Sequence, residues 1–203
     1  MADSPTLGRP ILLLGSGGMI GNALSRACAG SVLEEFQHQE LDITDYVEVE
    51  KVFLKHRPEL VLNAAAFTRV DDCEKFRETA FVVNAQAPGH LAALCKKYSA
   101  LMVHFSTDYI FGGNSEIPYP ENYPPNPVNY YGLTKLEGEK QIIASGCPYL
   151  IVRTSWIFGR SGDNFVKKVL KRALAGAKVQ APTDQVGAPT NSSDVAVAVL
   201  MLL

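Results

Sequence analysis

A tyrosine and a lysine, Tyr131 and Lys135, stand four residues apart in a stretch of helical character. On a helix this spacing places both side chains on one face, within several ångströms of each other. Reduction of a carbonyl by hydride needs a proton donor at the oxygen, and a phenol can be that donor. Lowering a tyrosine pKa from about 10 to near 7 requires roughly 4 kcal/mol, which a cation about 4 Å away supplies at an effective dielectric of about 20. The pair therefore predicts acid–base chemistry at a carbonyl, with Lys135 lowering the pKa of Tyr131.

Three glycines with the spacing GxxGxxG follow the first apolar run of the chain: Gly15, Gly18 and Gly21. Gly15 permits a sharp turn, Gly18 lets a pyrophosphate approach the backbone, and Gly21 lets the next helix pack against the strand. The backbone N–H groups at the start of that helix, around Met19 and Ile20, favour phosphate, as does the helix dipole. The turn predicts a bound dinucleotide cofactor.

The choice between NAD and NADP stays open. An acidic residue at the end of the second strand would select the free ribose hydroxyl of NAD, and a basic residue would favour NADP. Residues 36–40 read FQHQE, and neither signal is well placed. The expected cofactor is therefore NADPH or NADH.

Strands alternate with helices along the chain. Apolar runs predict strands at 10–14, within 32–36, and at 60–62, 101–105, 149–153 and 178–180. Helices are expected at 19–29, 44–56, 74–98, 131–144, 164–175 and from about 193 onward, and five prolines mark 112–129 as a loop. A capping box of Asp45 and Glu48 begins the second helix, and Pro88 with Gly89 is expected to kink or divide the third. This order predicts an α/β fold: a Rossmann-like, doubly wound parallel sheet with helices on both faces.

Two regions are expected along this fold. Residues 1–155 would form the NAD(P)-binding domain, and residues 156–203 would begin a small, interleaved substrate-binding lobe. The last helix is still apolar at Leu203, with no cap and no charged final turn, which is unusual for a complete helix. We therefore expect the C-terminal lobe to be incomplete and the chain to belong to a longer protein.

The composition excludes several classes of protein. With 47% hydrophobic and 20% charged residues among 203, the chain is neither disordered nor fibrous. Its net charge of −2 comes without a basic stripe, so neither nucleic acid nor a membrane is an expected partner. Four scattered cysteines and an N-terminus without a secretion signal favour the cytoplasm. The four histidines show no metal-binding spacing, and no metal site is expected.

Six further strings are more specific than the glycine turn. They are LDIT at 41–44, NAAAFTRVD at 63–71, STDYIF at 106–111, YGLTKLEGE at 131–139, RTSW at 153–156 and DQVGAPT at 184–190. With them the sequence resembles the extended short-chain dehydrogenases, and specifically the dTDP-4-dehydrorhamnose reductases. Two positions depart from that family: Arg69 stands where a small residue is usual, and Gly17 is an extra glycine in the turn.

The resemblance implies NAD(P)H-dependent reduction of the 4-keto group of a nucleotide-linked sugar, dTDP-4-dehydro-L-rhamnose, with a homodimer as the expected assembly. Tyr131 would donate the proton, Thr107 would hydrogen-bond the substrate carbonyl, and Lys135 would bind the cofactor ribose. Besides the glycine turn, the implied cofactor contacts are Asp42, Ile43, Ala65, Ala66, Tyr131 and Lys135. The implied substrate contacts are Thr68, Val70, Thr107, Asp108, Tyr109 and Trp156, although a buried core role is nearly as good an interpretation of the tryptophan. Asn84 would orient a water or the backbone near the lysine.

Two other functions stay open. A catalytically silent regulatory relative, such as the regulatory subunit of methionine adenosyltransferase, resembles the same family and can keep Thr107, Tyr131 and Lys135. Such a regulatory protein would bind tightly to a partner enzyme and would not reduce dTDP-sugars. A nucleotide-sugar epimerase would regenerate its cofactor with no net consumption of hydride.

Overall fold

The computed structural model describes residues 8–162, 164–179 and 187–203. Its centre is a five-stranded parallel sheet in the order β2-β1-β3-β4-β5. The strands are β1 (Ile11–Leu14), β2 (Leu33–Phe36), β3 (Leu60–Asn63), β4 (Leu101–Thr107) and β5 (Tyr149–Thr154). These five strands lie where the apolar runs predicted them. The strand predicted at 178–180 is wrong for Lys178 and Val179, which are irregular, while Gln180 lies outside the described residues.

Helices cover both faces of this sheet. They are α1 (Met19–Ala27), α2 (Tyr46–His56), α3 (Val70–Lys75), α4 (Arg77–Phe81), α5 (Ala87–Tyr98), α6 (Tyr130–Ser145), α7 (Phe165–Leu174) and α8 (Ser192–Leu202). On one face, α2, α5 and α6 bury Phe53, Leu91 and Ile142 against the strands. On the other face, α1 and α8 bury Leu24 and Val199. The doubly wound, Rossmann-like fold is thereby confirmed.

The helix starts follow local side-chain chemistry. The backbone N–H of Glu48 donates to the Asp45 carboxylate at 3.1 Å, so the predicted cap of α2 is present. The N–H of Gly132 donates to Asn129 Oδ1 at 2.8 Å in the same way, which fixes where α6 begins. The first turn of α6 carries Tyr131, so this cap helps to set the position of the phenol.

The region predicted as one helix at 74–98 is divided differently from the prediction. The break falls at Phe76, between α3 and α4, where the backbone leaves the helical region (φ −108°, ψ 56°). A π-helical segment, Val82–Gln86, then leads into α5. Pro88 and Gly89 do not divide the helix, because Pro88 lies in the first turn of α5, where its missing N–H is tolerated.

The C-terminal part of the chain forms a second, smaller sheet. Its two parallel strands are β6 (Ile157–Phe158) and β7 (Thr190–Asn191). The neighbouring helix α7 has no buried residue, and its apolar side chains, such as Leu170 and Leu174, are exposed. Among the described residues, no helix combines the length and the apolar character that crossing a bilayer requires.

Candidate active site

A cleft opens at the carboxyl ends of β1 and β3. The chain leaves β1 toward β2 on one side and returns to β3 on the other, and ligands of open parallel sheets bind at such a switch point. This switch-point cleft has a volume of about 810 Å³. Six of the predicted cofactor residues line it: Gly15, Gly18, Asp42, Ile43, Ala65 and Ala66. The other predicted cofactor contacts, Met19, Ile20, Gly21, Tyr131 and Lys135, are not among the residues that line it.

The glycine turn closes one wall of the cleft. Gly15 has a positive φ of 81°, and a Cβ there would lie 2.6 Å from the backbone nitrogen of Ala65. A Cβ at Gly21 would collide with the carbonyl oxygen of Gly15, so α1 packs directly on the turn. Gly18 is the N-cap of α1, without a side-chain hydrogen bond and without an acidic residue in the turn that follows. The free N–H groups of this helix start fit the pyrophosphate of a dinucleotide.

The segment that follows β2 also lines the cleft. Gln37, His38 and Gln39 lie there, and the lining residues that the structure describes include no lysine or arginine. The side chain of Glu40 contacts its own segment, since its carboxylate accepts a hydrogen bond from the backbone N–H of Gln37 at 2.7 Å. Asp42 Oδ1 accepts from the N–H and the hydroxyl of Thr44 at 2.9 and 2.8 Å. The contacts of Glu40 and Asp42 therefore do not indicate whether the cleft selects NAD or NADP.

Sequence reasoning missed several residues of this cleft. Phe67, Glu78, Thr79, Val82 and Val83 also line it. Phe67 comes from the segment after β3, and the other four come from α4 and the π-helical segment that follows it.

The end of β4 meets the first turn of α6. The side chain of Thr107 lies near the phenol of Tyr131, whose pKa it lowers slightly against the effect of burial, and its hydroxyl donates to Asp108 Oδ1 at 3.1 Å. The ring of Tyr109 lies edge-on to that of Tyr131, with 6.0 Å between the centroids. Gly132 permits this approach, because a Cβ there would collide with the carbonyl oxygen of Tyr109. The structure therefore brings three other predicted site residues, Thr107, Asp108 and Tyr109, to the neighbourhood of the Tyr131 phenol.

The pKa of Tyr131 moves in the direction opposite to the expected one. Burial raises the pKa of this phenol above its ordinary value, with a smaller contribution from Cys73. Lys135 is not among the groups that shift the pKa of this phenol. Burial lowers the pKa of Lys135 itself to about 7, against a weaker opposing effect of Glu139. The phenol consequently keeps its proton at neutral pH, which is the form that a proton donor needs.

Lys135 is enclosed by groups that sequence reasoning did not select. Its Nζ lies 3.0 Å from Nε2 of His104, whose Nδ1 lies 3.1 Å from Nδ2 of Asn63. One turn further along α6, Glu139 binds Arg153 through two hydrogen bonds of 3.1 and 2.8 Å. The available signal was His104 itself, a polar residue in an otherwise apolar buried strand, since such residues need hydrogen-bond partners.

Asn84 joins the cleft to the helix of the tyrosine. Its Oδ1 accepts from the N–H of Phe67 at 2.8 Å, and its Nδ2 donates to the carbonyl of Phe67 at 3.0 Å. The same Nδ2 donates to Thr134 Oγ1 at 3.1 Å. Asn84 thus orients backbone next to the lysine-bearing turn, one of the two roles expected for it.

The remaining predicted substrate residues are Thr68, Val70 and Trp156. Thr68 is exposed, and Val70 begins α3. Trp156 has a positive φ of 45° and a ring 5.5 Å from that of Phe165, and a Cβ at Gly187 would lie 2.5 Å from the indole. Among the described residues, neither Thr68 nor Trp156 makes a hydrogen bond or ring contact with Tyr131. Asp184, Gln185 and Val186 of the DQVGAPT string lie outside the described residues. Within the ranges that are described, no group of His, Cys, Asp and Glu is arranged to hold a metal ion.

Comparison with known sequences gives a consistent set of relatives. Residues 9–203 match the sequence model of a family described as the RmlD substrate binding domain. The dTDP-4-keto-6-deoxy-D-glucose reductase of Streptomyces niveus is 38% identical over 196 residues, covering 95% of this chain and 68% of the relative. The dTDP-4-dehydrorhamnose reductase of Burkholderia thailandensis is 38% identical over 188 residues, covering 92% and 63%. The chain spans about two thirds of the length of these curated relatives.

A solved structure shows the same likeness in three dimensions. The crystal structure of dTDP-4-dehydrorhamnose reductase from Bacillus anthracis in complex with NADP superimposes with a TM-score of 0.93 at 33% identity. The match covers 97% of this chain and 70% of that one. The likeness therefore includes the sheet, the glycine turn and the segments that surround Tyr131.

Proposed function

This chain belongs to the RmlD substrate-binding-domain family, and we propose that it is an NAD(P)H-dependent reductase of a nucleotide-linked 4-keto sugar. The proposed substrate is dTDP-4-dehydro-L-rhamnose, and the product is dTDP-L-rhamnose. The names of the two relatives and of the NADP-bound structure support a dTDP-sugar 4-keto reduction. The observation that carries the proposal is the phenol of Tyr131, beside Tyr109 and the end of β4, at the carboxyl edge of the sheet that also bears the switch-point cleft.

We propose that the switch-point cleft holds NADPH or NADH. Its pyrophosphate would lie at Gly18 and the N–H groups of Met19 and Ile20, which the free start of α1 supports. Asp42 and Ile43 would border the adenine, and Ala65 and Ala66 would line the cofactor behind β3. When bound, the reduced nicotinamide supplies the hydride.

Side chains of the protein carry out the remaining steps. Tyr131 donates its proton to the 4-oxygen of the sugar as the carbonyl is reduced, and Thr107 hydrogen-bonds the same oxygen. The phenol carries its proton at neutral pH, which is the form that the reductive direction requires. The proposed sugar and nucleotide contacts are Thr68, Val70, Asp108, Tyr109 and Trp156.

We also propose the division into a cofactor domain at 1–155 and the start of a substrate lobe at 156–203. The small sheet of β6 and β7 supports a separate lobe, whereas α8 packs against α1 on the main sheet. The four free cysteines suit a reducing compartment, for which we propose the cytoplasm. A homodimer stays a prediction that a sedimentation measurement would test.

Replacing Tyr131 by phenylalanine tests the role of the phenol. We expect the Tyr131→Phe variant to lose turnover by about 100-fold or more, because the proton donor is gone. Its affinity for NADPH, followed by nucleotide fluorescence, should stay within about threefold of the parent, because the switch-point cleft is unchanged. The measurement is NADPH oxidation with dTDP-4-dehydro-L-rhamnose.

Tyr130→Phe is the matched control, since Tyr130 precedes the catalytic position on the same helix and packs under Arg77. This variant should keep near-normal turnover. Normal turnover in Tyr131→Phe would remove Tyr131 as the donor, and loss in both variants would point to damage to α6.

A further inference from the structure

The guanidinium of Arg153, near the end of β5, contacts three other parts of the chain. Its Nε and Nη2 donate to the two carboxylate oxygens of Glu139 on α6, at 3.1 and 2.8 Å. Its Nη1 donates to the backbone carbonyl of Glu121 at 2.8 Å. Its Cζ lies over the ring of Phe111, 5.4 Å from the centroid. The proposed reduction assigns no role to Arg153.

The ion pair with Glu139 sets the direction of the contact with Glu121. A carboxylate that accepts from both Nε and Nη2 occupies one edge of the planar guanidinium, so Nη1 points outward at the next edge. The side chain of Glu139 is only 2% exposed, which shields this pairing from water. An ammonium group has no such fork of fixed donors, so a lysine could not make the same set of contacts.

Glu121 belongs to the proline loop, residues 112–129, which has few attachments to the rest of the fold. None of the residues of the proline loop is fully buried. Among the described residues, two hydrogen bonds join the stretch 113–126 to other parts of the chain. One is the bond from Arg153, and the other runs from the N–H of Asn126 to the carbonyl of Ile110 at 2.8 Å.

Aromatic rings form the other attachment of the proline loop. The ring of Tyr119 stacks on that of Phe111 with 4.4 Å between the centroids. The ring of Tyr123 lies edge-on to both of them. Phe111 in turn packs with Leu136 of α6. Since the guanidinium of Arg153 lies over Phe111, it takes part in both kinds of attachment.

Both ends of the proline loop adjoin the proposed proton donor. The loop begins shortly after Tyr109 and ends shortly before Tyr131. A Cβ at Gly132 would collide with the carbonyl oxygen of Tyr109 and would lie 3.2 Å from Cβ of Pro127. The loop and the turn of Tyr109 therefore both pack on the first turn of α6. Displacing the loop would move the proposed sugar contacts Asp108 and Tyr109 relative to the phenol.

We propose that Arg153 is a positioning residue for the nucleotide-sugar site: it holds the proline loop against α6, so that Asp108 and Tyr109 lie beside Tyr131 before the substrate binds. The proposal rests on the reductase function given above and adds a residue to the same site. A site that is competent for only part of the time binds its ligand more weakly by that fraction. Cofactor binding is not affected in this way, because none of the described residues that line the switch-point cleft belongs to the proline loop.

The first test is hydrogen exchange at the amides of Tyr123 and Asn126 in the protein without substrate. Both amides donate to backbone carbonyls, so their exchange reports whether the proline loop is held in place. Arg153→Lys keeps a positive charge for Glu139 but loses the fork, and we expect exchange at both amides to become about tenfold faster or more. Unchanged exchange in the folded variant would overturn the proposal, whether or not the protein is a reductase.

The second test separates sugar binding from cofactor binding. In Arg153→Lys we expect the KM for dTDP-4-dehydro-L-rhamnose to rise by about tenfold, with kcat per NADPH-binding site and the Kd for NADPH within about threefold of the parent. A variant that is only less stable would lose active protein and keep the parent's KM. An unchanged KM in a variant with faster loop exchange would contradict the proposal. Absence of turnover in the parent would refute the reductase function instead, and the exchange test would still decide the role of Arg153.

Arg57→Lys is the matched control. Arg57 also lies over an aromatic ring, that of Tyr98, with 5.3 Å from Cζ to the centroid. It precedes β3 and so lies at the opposite edge of the sheet. This variant should change neither the exchange of the proline loop nor the KM for the sugar.

Tyr119→Leu is a second variant in case Arg153→Lys does not fold. It removes the stack on Phe111 from a partly exposed position and leaves the ion pair of Arg153 and Glu139 in place. Loop exchange and the KM for the sugar should both rise, as in Arg153→Lys. A Tyr119→Leu protein with faster loop exchange and the parent's KM would show that the proline loop does not position the sugar site, and would refute the proposal.

Discussion

Gly17 and Gly21 lie in the same turn but differ in the atoms that a Cβ at each position would contact. A Cβ at Gly21 would collide with the backbone carbonyl of Gly15, whereas a Cβ at Gly17 would meet only the flexible end of Gln37, at 3.0 Å. The third glycine of the motif is thus required by packing. The extra glycine at 17, which departs from the family pattern, faces a side chain that can move.

This difference gives a prediction for cofactor binding. Gly21→Ala should destabilise the fold by about 1 to 3 kcal/mol, because backbone must shift, and should weaken NADPH binding by about tenfold or more, because the same shift moves the pyrophosphate site. Gly17→Ala should change the free energy of unfolding little, because a Cβ there meets only the side chain of Gln37, and since Gly17 also lines the cleft its effect on NADPH binding should be smaller than that of Gly21→Ala. Urea unfolding and NADPH titration of the two variants measure this, and equal losses in both would show that the packing of α1 on the turn is not the cause.

At single residues the sequence predicted which side chains meet but not their protonation. The spacing of Tyr131 and Lys135, and the STDY string, were enough to place the phenol beside Thr107. The partner of the lysine was not predictable in the same way, since Asn63 and His104 come from two different strands. A pKa depends on such distant neighbours and on burial, and for Tyr131 this reversed the expected direction.

Between elements, α6 and β5 are joined by an ion pair of Glu139 and Arg153. The side chain of Glu139 is 2% exposed and that of Arg153 is 27% exposed. On the same helix, Glu137 and Lys140 form an exposed pair, with side chains 31% and 57% exposed. The two ion pairs allow the contributions of a buried and an exposed pair to stability to be compared within one helix.

Removing one charge from each pair should have unequal effects. Glu139→Gln should lower the free energy of unfolding by about 2 kcal/mol, somewhat less than for a fully buried pair because Arg153 reaches solvent. Glu137→Gln should cost about 0.5 kcal/mol or less. Urea unfolding at neutral pH measures both. A loss from Glu139→Gln no larger than that from Glu137→Gln would show that the ion pair does not join the two elements.

The elements themselves were predictable to different degrees. Strands and caps follow local signals, so β1 to β5 and the start of α2 lie where expected. The division of 70–98 was not predictable, because Phe76 and the π-helical segment have no distinctive composition. That segment carries Asn84, whose contacts with Phe67 and Thr134 are made across the fold. Tertiary contacts therefore decide the geometry where the local sequence favours a plain helix.

For the whole molecule, the order of the strands brings the two halves of the site to one edge. The switch-point cleft lies beyond β1 and β3, and the phenol lies beyond β4, the next strand of the sheet. The alternation of strands and helices predicted the parallel sheet with helices on both faces, but not the order of its strands. Trp156 and the segment at 187–190 belong to the C-terminal part of the chain, whose packing the alternation does not specify.

The transfer of deuterium from the cofactor to the sugar tests the central claim most directly. The protein is given NADPH carrying deuterium at C4 of the nicotinamide, together with dTDP-4-dehydro-L-rhamnose, and the product is analysed by mass spectrometry and NMR. A 4-keto reductase yields dTDP-L-rhamnose with deuterium at C4 of the sugar, and consumes one NADPH for each product formed. A rearranged sugar without net consumption of NADPH, or no product while a partner enzyme is bound, would contradict the account in favour of an epimerase or a silent regulatory subunit.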